Sequence, residues 1–180
     1  MEKDNSYKES LDKLNIDWRE EANARLEASI LNASNKTKRI SREDYYMKLA
    51  QDTSLRATCR ISVGAVAIKD NRIILTGFNG SLKGHEHCLD IGCNMVNGHC
   101  LRTIHAEQNI IAQAAKEGIS LKDTIIYVTH QPCFYCMKMM IAAGINSIVF
   151  ENSKEDPLIP AIYYHDIKVY QYPKMKRIYK

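Results

Sequence analysis

The run TIIYVTHQPCFYCMKMMIAAGINSIVFE, residues 124–151, decides the architecture. Its opening, TIIYVT, consists of β-branched and aromatic residues, the composition of a buried strand. From Pro132 the chain turns apolar at helical length and stops at Gly144, and NSIVFE, residues 146–151, is strand-like again. Strand, helix and strand in that order form a crossover unit, which requires parallel neighbours in one sheet.

Working outward, ISVGAVAIKD (61–70) and RIILTGFN (72–79) are two further strand-like runs that meet at Asp70–Asn71, a hairpin signal. A helix is expected from His105 to Lys116, stopped near Gly118, and another over REDYYMKLAQDTSL (42–55), with Ser41 as N-cap and Asp44 three residues on. IKVYQY (167–172) reads as a last strand. The stretch SKEDPLIPAIYYHD (153–166) has two prolines that leave room for a short helix only. Between Gly80 and Arg102 the chain reads as a long irregular loop rich in Cys and His. The expected class is therefore α/β, with a layered sheet.

The chain has 180 residues, 45% hydrophobic and 26% charged, the composition of an ordinary globule. Residues 41–180 are expected to form one domain. Residues 1–40 read as an N-terminal extension in which Leu11, Leu14, Trp18, Ala22 and Leu26 recur at helical spacing, an amphipathic helix followed by the turn-rich NASNKTK; the alternative is a frayed, solvated tail. No apolar run approaches the length that spans a bilayer, and MEKDNSYKES lacks the apolar core of a signal peptide, so the expected compartment is the cytoplasm and no membrane is expected as partner. Six cysteines in a reducing compartment point to metal ligands or buried thiols before disulfides. The net charge of +4 admits an anionic substrate without demanding a nucleic acid.

The chemistry gathers at two expected helix starts. Cys133 and Cys136 stand three apart on a first turn, on one side of the helix, where the positive end of the dipole favours thiolates. A Cys-x-x-Cys pair alone admits a redox couple, a structural zinc or a catalytic zinc. His105, from the start of the preceding helix, adds a nitrogen ligand, and one His with two Cys leaves a tetrahedral position for water, as a catalytic zinc requires. Glu107 is then a carboxylate placed to move protons without being a ligand.

His105-x-Glu107 (HAE) followed by Pro132-Cys133-x-x-Cys136 (PCFYC) resembles the zinc-dependent nucleobase deaminases, and more closely their deoxycytidylate (dCMP) deaminase branch. The resemblance extends from about Tyr45 to Phe150 through TCRISVGAVAIKDNRIILTGFNGS, GHCLRTIHAEQNIIAQAAKEG and IIYVTHQPCFYCMKMMIAAGI. It implies the three-layer cytidine deaminase-like fold, a central mixed five-stranded sheet flanked by helices. It also implies zinc-dependent hydrolysis of dCMP to dUMP and ammonia by an oligomer of identical chains, with Glu107 moving the protons. Asn79 and Asn109 become expected sugar or base contacts, and backbone groups of Ala106 and Cys133 hold the pyrimidine. Where the branch often has a proline after NGS, this chain has Leu82, and triphosphate regulation is not carried over.

Lys116 lies eleven residues beyond His105, about 20° from the same helix face, and related deaminases place a basic residue there, which suggests a 5′-phosphate contact. Some dCMP deaminases hold a second, structural zinc. Here Cys59, Cys88, His99 and Cys100 are the first choice for it, with Cys93, His85 and His87 nearby; reduced buried cysteines are the alternative. The rival functions are a polynucleotide (tRNA or single-stranded DNA) deaminase, which would want a strongly basic face, and a catalytically inactive zinc-stapled binding module, which would have no use for Glu107.

Overall fold

The computed structural model describes residues 20, 22–28, 39–153, 159 and 163–177. The chain divides into two units, Met1–Arg39 and Ile40–Lys180. In the first, residues 22–28 are helical, with Ala22 and Leu26 exposed. Leu11, Leu14 and Trp18 of the expected amphipathic helix lie outside the described residues. Among the described residues no helix is long and apolar enough to cross a membrane.

The second unit opens with helix α1, Arg42–Ser54, where the Ser41 hydroxyl accepts the Asp44 N–H at 3.0 Å. Strands β1 (Gly64–Lys69) and β2 (Arg72–Phe78) form the expected hairpin. Asp70 and Asn71 turn it with φ of 50° and 60°, the left-handed pair that matches strand twist. The stretch expected to be irregular is more ordered than its composition suggests. It holds β3 (Gly80–Ser81), a one-turn helix α2 (Cys88–Ile91), and a small hairpin of β4 (Met95–Val96) and β5 (His99–Cys100). It is followed by β6 (Thr103–Ile104), which pairs with β3.

Helix α3 (Ala106–Glu117), strand β7 (Ile125–His130), helix α4 (Phe134–Ala142) and strand β8 (Ser147–Asn152) complete the crossover read from residues 124–151. A short helix α5 (Tyr163–Asp166) precedes β9 (Lys168–Gln171). The sheet runs β9-β8-β7-β1-β2, extended at the β9 edge by the two-residue strand β10, Lys176–Arg177. β7, β8 and β9 are parallel, whereas β1 is antiparallel to both β2 and β7, so the five expected strands form a mixed sheet.

Strand β1 shows why there are three layers. Val66 and Ile68 face α1, packing with Tyr46, Met47 and Ala50. Ala65 and Ala67 face the opposite way, against Ile110 of α3 and the α4 side chains Met137 and Met140. Both faces of the strand are buried, as its nearly unbroken apolar run requires. Small residues let α3 come close. A Cβ on Gly77 of β2 would stand 2.5 Å from the Ala106 carbonyl oxygen and 2.8 Å from Ile110 Cγ1. The absence of a side chain at 77 thus seats the first turn of α3 on the sheet.

Candidate active site

The starts of α3 and α4 meet at His105 and Cys133. Both residues are N-caps with extended backbone (φ −74°, ψ 158° and φ −74°, ψ 169°), and Gln108 Oε1 accepts the His105 N–H at 2.9 Å. The helix expected from Pro132 begins two residues later. Pro132 lies outside it, and Cys133 uses the N-cap geometry to turn its sulfur towards α3. Cys133 Sγ lies 3.5 Å and Cys136 Sγ 3.3 Å from His105 Nδ1, and all three donor atoms fall within 4.8 Å of one another. Tetrahedral zinc with ordinary bond lengths would separate nitrogen from sulfur by about 3.6 Å. The donor types and their spacing fit the ion.

Glu107 is 4% exposed, and among the described residues it is not one of the donors grouped with His105, Cys133 and Cys136. Burial pushes its carboxyl above the usual range, against the pull of the His105 charge. The hydrogen bond from Cys136, helped by His105, holds the Cys133 thiol down to about 4, and Cys133 in turn raises His105. Cys136, beside Cys133 and buried, is pushed up. One sulfur of the pair is therefore a ready anion at neutral pH, the form a metal takes.

The expected substrate contacts are placed unequally. Ala106 and Cys133 stand at the donor group as the first helical residue of α3 and the cap of α4. Asn79 is buried and already engaged: its Oδ1 accepts the Val63 N–H at 2.8 Å and its Nδ2 donates to the Ile61 carbonyl at 2.7 Å. Asn109 Nδ2 donates to the Phe78 carbonyl at 2.9 Å, tying α3 to β2, while its Oδ1 accepts from Gln113. Lys116 is not brought to the donor group. It lies in the last turn of α3, about 15 Å of helix rise from Ala106, with its side chain 80% exposed and 3.5 Å from Glu117.

Of the second set of soft ligands, three sulfurs assemble, and they are not the four expected. Those of Cys59, Cys88 and Cys93 lie within 4.8 Å of one another, while Cys100 stands at the edge of this group, its Sγ 3.5 Å from Cys88 Sγ. Thr103 Oγ1 sits among them, 3.3 Å from Cys88 and 3.6 Å from Cys100. Burial pushes the Cys100 thiol up, but hydrogen bonds with Thr103, Cys88 and the backbone of Arg102 and Asn94 together outweigh it and bring the thiol down to about 6. Cys93 replaces His99, whose ring lies instead 6.1 Å from that of His105 and 5.7 Å from that of Tyr135. The signal for Cys93 was Asn97–Gly98, a hairpin turn (φ 48° and 79°) that folds the chain back so that Leu101 N–H bonds the Asn94 carbonyl. Tyr135, between the paired cysteines, was also missed. No described cysteine is in a disulfide.

Residues 40–152 match the family described as the cytidine and deoxycytidylate deaminase zinc-binding region. Over 121 residues the chain is 47% identical to ComE operon protein 2 of Bacillus subtilis, which covers 66% of this chain and 64% of that protein. It is 32% identical over 124 residues to a deoxycytidylate deaminase of Schizosaccharomyces pombe, covering 64% of this chain and 38% of the relative. The chain thus spans less than two thirds of either relative's length. Among solved structures, the dCMP deaminase of cyanophage S-TIM5 in complex with dCMP and dUMP superposes with a TM-score of 0.62 at 28% identity, covering 75% of this chain and 99% of the other. The matched stretch carries every element that builds the His105, Cys133 and Cys136 group, and this chain belongs to the cytidine and deoxycytidylate deaminase zinc-binding family.

Proposed function

We propose that the chain is a zinc-dependent deaminase that converts dCMP to dUMP and ammonia. The observation that carries the reading is the buried Glu107 carboxyl, held beside a one-His, two-Cys donor group without belonging to it. His105, Cys133 and Cys136 would hold the ion, which when bound supplies Lewis-acid activation of a water at the remaining position. Glu107 would take one proton from the water that attacks C4 and pass it to ring N3, then pass the second, from the hydroxyl gained by C4, to the amino group, which leaves as ammonia. A carboxyl raised by burial suits both roles, because its proton is neither held nor lost too readily. The first N–H groups of α3 have no intrahelical partner, so the Ala106 backbone, with that of Cys133, is disposed to hold the pyrimidine. Asn79 keeps one N–H and one lone pair for a sugar hydroxyl while its other half fixes residues 61–63.

We assign the 5′-phosphate to Lys116. Its exposed pair with Glu117 is of a kind that contributes little, and its stem leans back towards the start of α3. Similarity to the S-TIM5 enzyme, a protein with dCMP and dUMP bound, supports the nucleotide over a polynucleotide. Cys59, Cys88 and Cys93, with Cys100 beside them, take a second, structural zinc; of the Cys100 edges, the 3.5 Å one to Cys88 is near the roughly 3.8 Å of a tetrahedral tetrathiolate. Residues 41–180 act as the deaminase domain and 1–40 as an appendage, in a cytoplasmic homo-oligomer; free cysteines and the exposed Tyr135 and Met139 of α4 support the compartment and the association. The test is ammonia release from dCMP, deoxycytidine, dCTP and a cytosine-containing oligonucleotide. Preference for dCMP is expected. Preference for another of the four overturns the substrate, and no release from any of them overturns the activity.

A further inference from the structure

The β4–β5 hairpin presents two consecutive residues, His99 and Cys100, and neighbours on a strand point to opposite faces. Cys100 turns its sulfur to the Cys59, Cys88 and Cys93 group, 3.5 Å from Cys88. His99 faces the donor group. Its ring is tilted 30° to that of His105 and meets the Tyr135 ring edge-on at 80°. Tyr135 stands between Cys133 and Cys136 on α4, so His99 packs at once against the histidine donor of α3 and against the helix that supplies both sulfurs. A second tie runs through Thr103, which is bonded to Cys88 and Cys100 and leads through Ile104 into His105.

We propose that His99 is a positioning residue for the deaminase reaction: packed between His105 and Tyr135 and anchored through Cys100, it holds the two halves of the zinc-binding donor group in register. For the reaction, the inference rests on the function proposed above; for zinc retention it stands on the donor group alone. An imidazole ligand is ordinarily held in one orientation by a hydrogen bond from its other ring nitrogen, whose loss costs about 10- to 100-fold in metal affinity or activity. His99 restrains the His105 ring by packing instead, which a flat ring without nitrogens can also do.

The experiment compares the full-length parent with His99→Ala and His99→Phe. It follows zinc per chain, the rate at which a chelator exposes Cys133 and Cys136 to alkylation (read by peptide mass), and kcat and KM for dCMP. His99→Ala is expected to purify with as much zinc as the parent, to expose Cys133 about 10-fold faster and to lose about 10-fold in kcat with little change in KM. His99→Phe is expected to recover most of both losses. The proposal is overturned if His99→Ala exposes Cys133 no faster than the parent, if His99→Phe recovers nothing, or if His99→Ala purifies with one zinc fewer, which would make His99 a ligand. Failure of the deaminase reading has a different signature: a parent that holds zinc and releases no ammonia, with the alkylation comparison still deciding the role of His99.

Discussion

Gly77→Ala tests whether the seat of α3 on β2 positions the chemistry. The new Cβ would meet the Ala106 carbonyl oxygen at 2.5 Å, where ordinary contact begins at 3.4 Å, and it would meet Ile110 Cγ1 at 2.8 Å. The Ile110 side chain can rotate, but the carbonyl belongs to the first turn of α3. The start of the helix must therefore rise by about 0.9 Å, the difference between 2.5 and 3.4 Å, and carry His105 and Glu107 with it. Misplacement of reacting groups by about 1 Å costs about 10²-fold in rate, whereas overpacking by one methyl costs about 1–3 kcal/mol in stability. The assay is kcat for ammonia release from dCMP, with thermal unfolding measured on the same preparation. A folded protein slowed about 10²-fold is expected. The double variant Gly77→Ala/Ile110→Ala should stay slow, because the backbone clash persists. Parent-like rates in Gly77→Ala, or rescue by the second substitution, would refute the argument.

Three other outcomes follow from the same geometry. Glu107→Gln should keep its zinc, since the carboxylate is not a donor, and lose turnover by at least about 10²-fold; Cys136→Ala should lose both, and zinc loss in Glu107→Gln would make Glu107 a ligand. Metal analysis should find two zinc ions per chain, with Cys93→Ser losing one of them together with thermal stability; one zinc per parent chain would remove the second site. Lys116→Ala should raise KM for dCMP and leave any activity on deoxycytidine unchanged, whereas equal loss on both would return Lys116 to a role in the end of the helix.

Much of the frame was legible because it follows from periodicity and punctuation. Residues 124–151 carry a crossover in plain order, and β1 shows its burial on both faces in a nearly unbroken apolar run. The donor group was legible for a different reason: water activation by zinc needs particular residue types, and His105, Glu107, Cys133 and Cys136 can converge only if two helix starts meet. Helix boundaries were less accessible. Proline suits a first helical position, but at 132 the chain uses Cys133 as N-cap because extended backbone there is what aims the sulfur at His105.

The ligand set of the second cluster turned on a smaller feature. Cys59, Cys88, Cys93, His99 and Cys100 are all soft donors in reach of one another along the chain, and composition cannot rank them. Strand alternation can. Asn97–Gly98 is a two-residue hairpin signal, and once 99 and 100 are neighbours on a strand they face opposite ways, so they cannot serve one ion. Accepting Cys100 excludes His99, and the hairpin that carries Cys100 returns the chain past Cys93, which joins Cys59 and Cys88 in a group of three sulfurs with Cys100 beside it. His99 is then left facing His105 and Tyr135. The same alternation that removes it from the second site delivers it to the first, so a short strand of two residues has one side chain directed at each candidate metal centre.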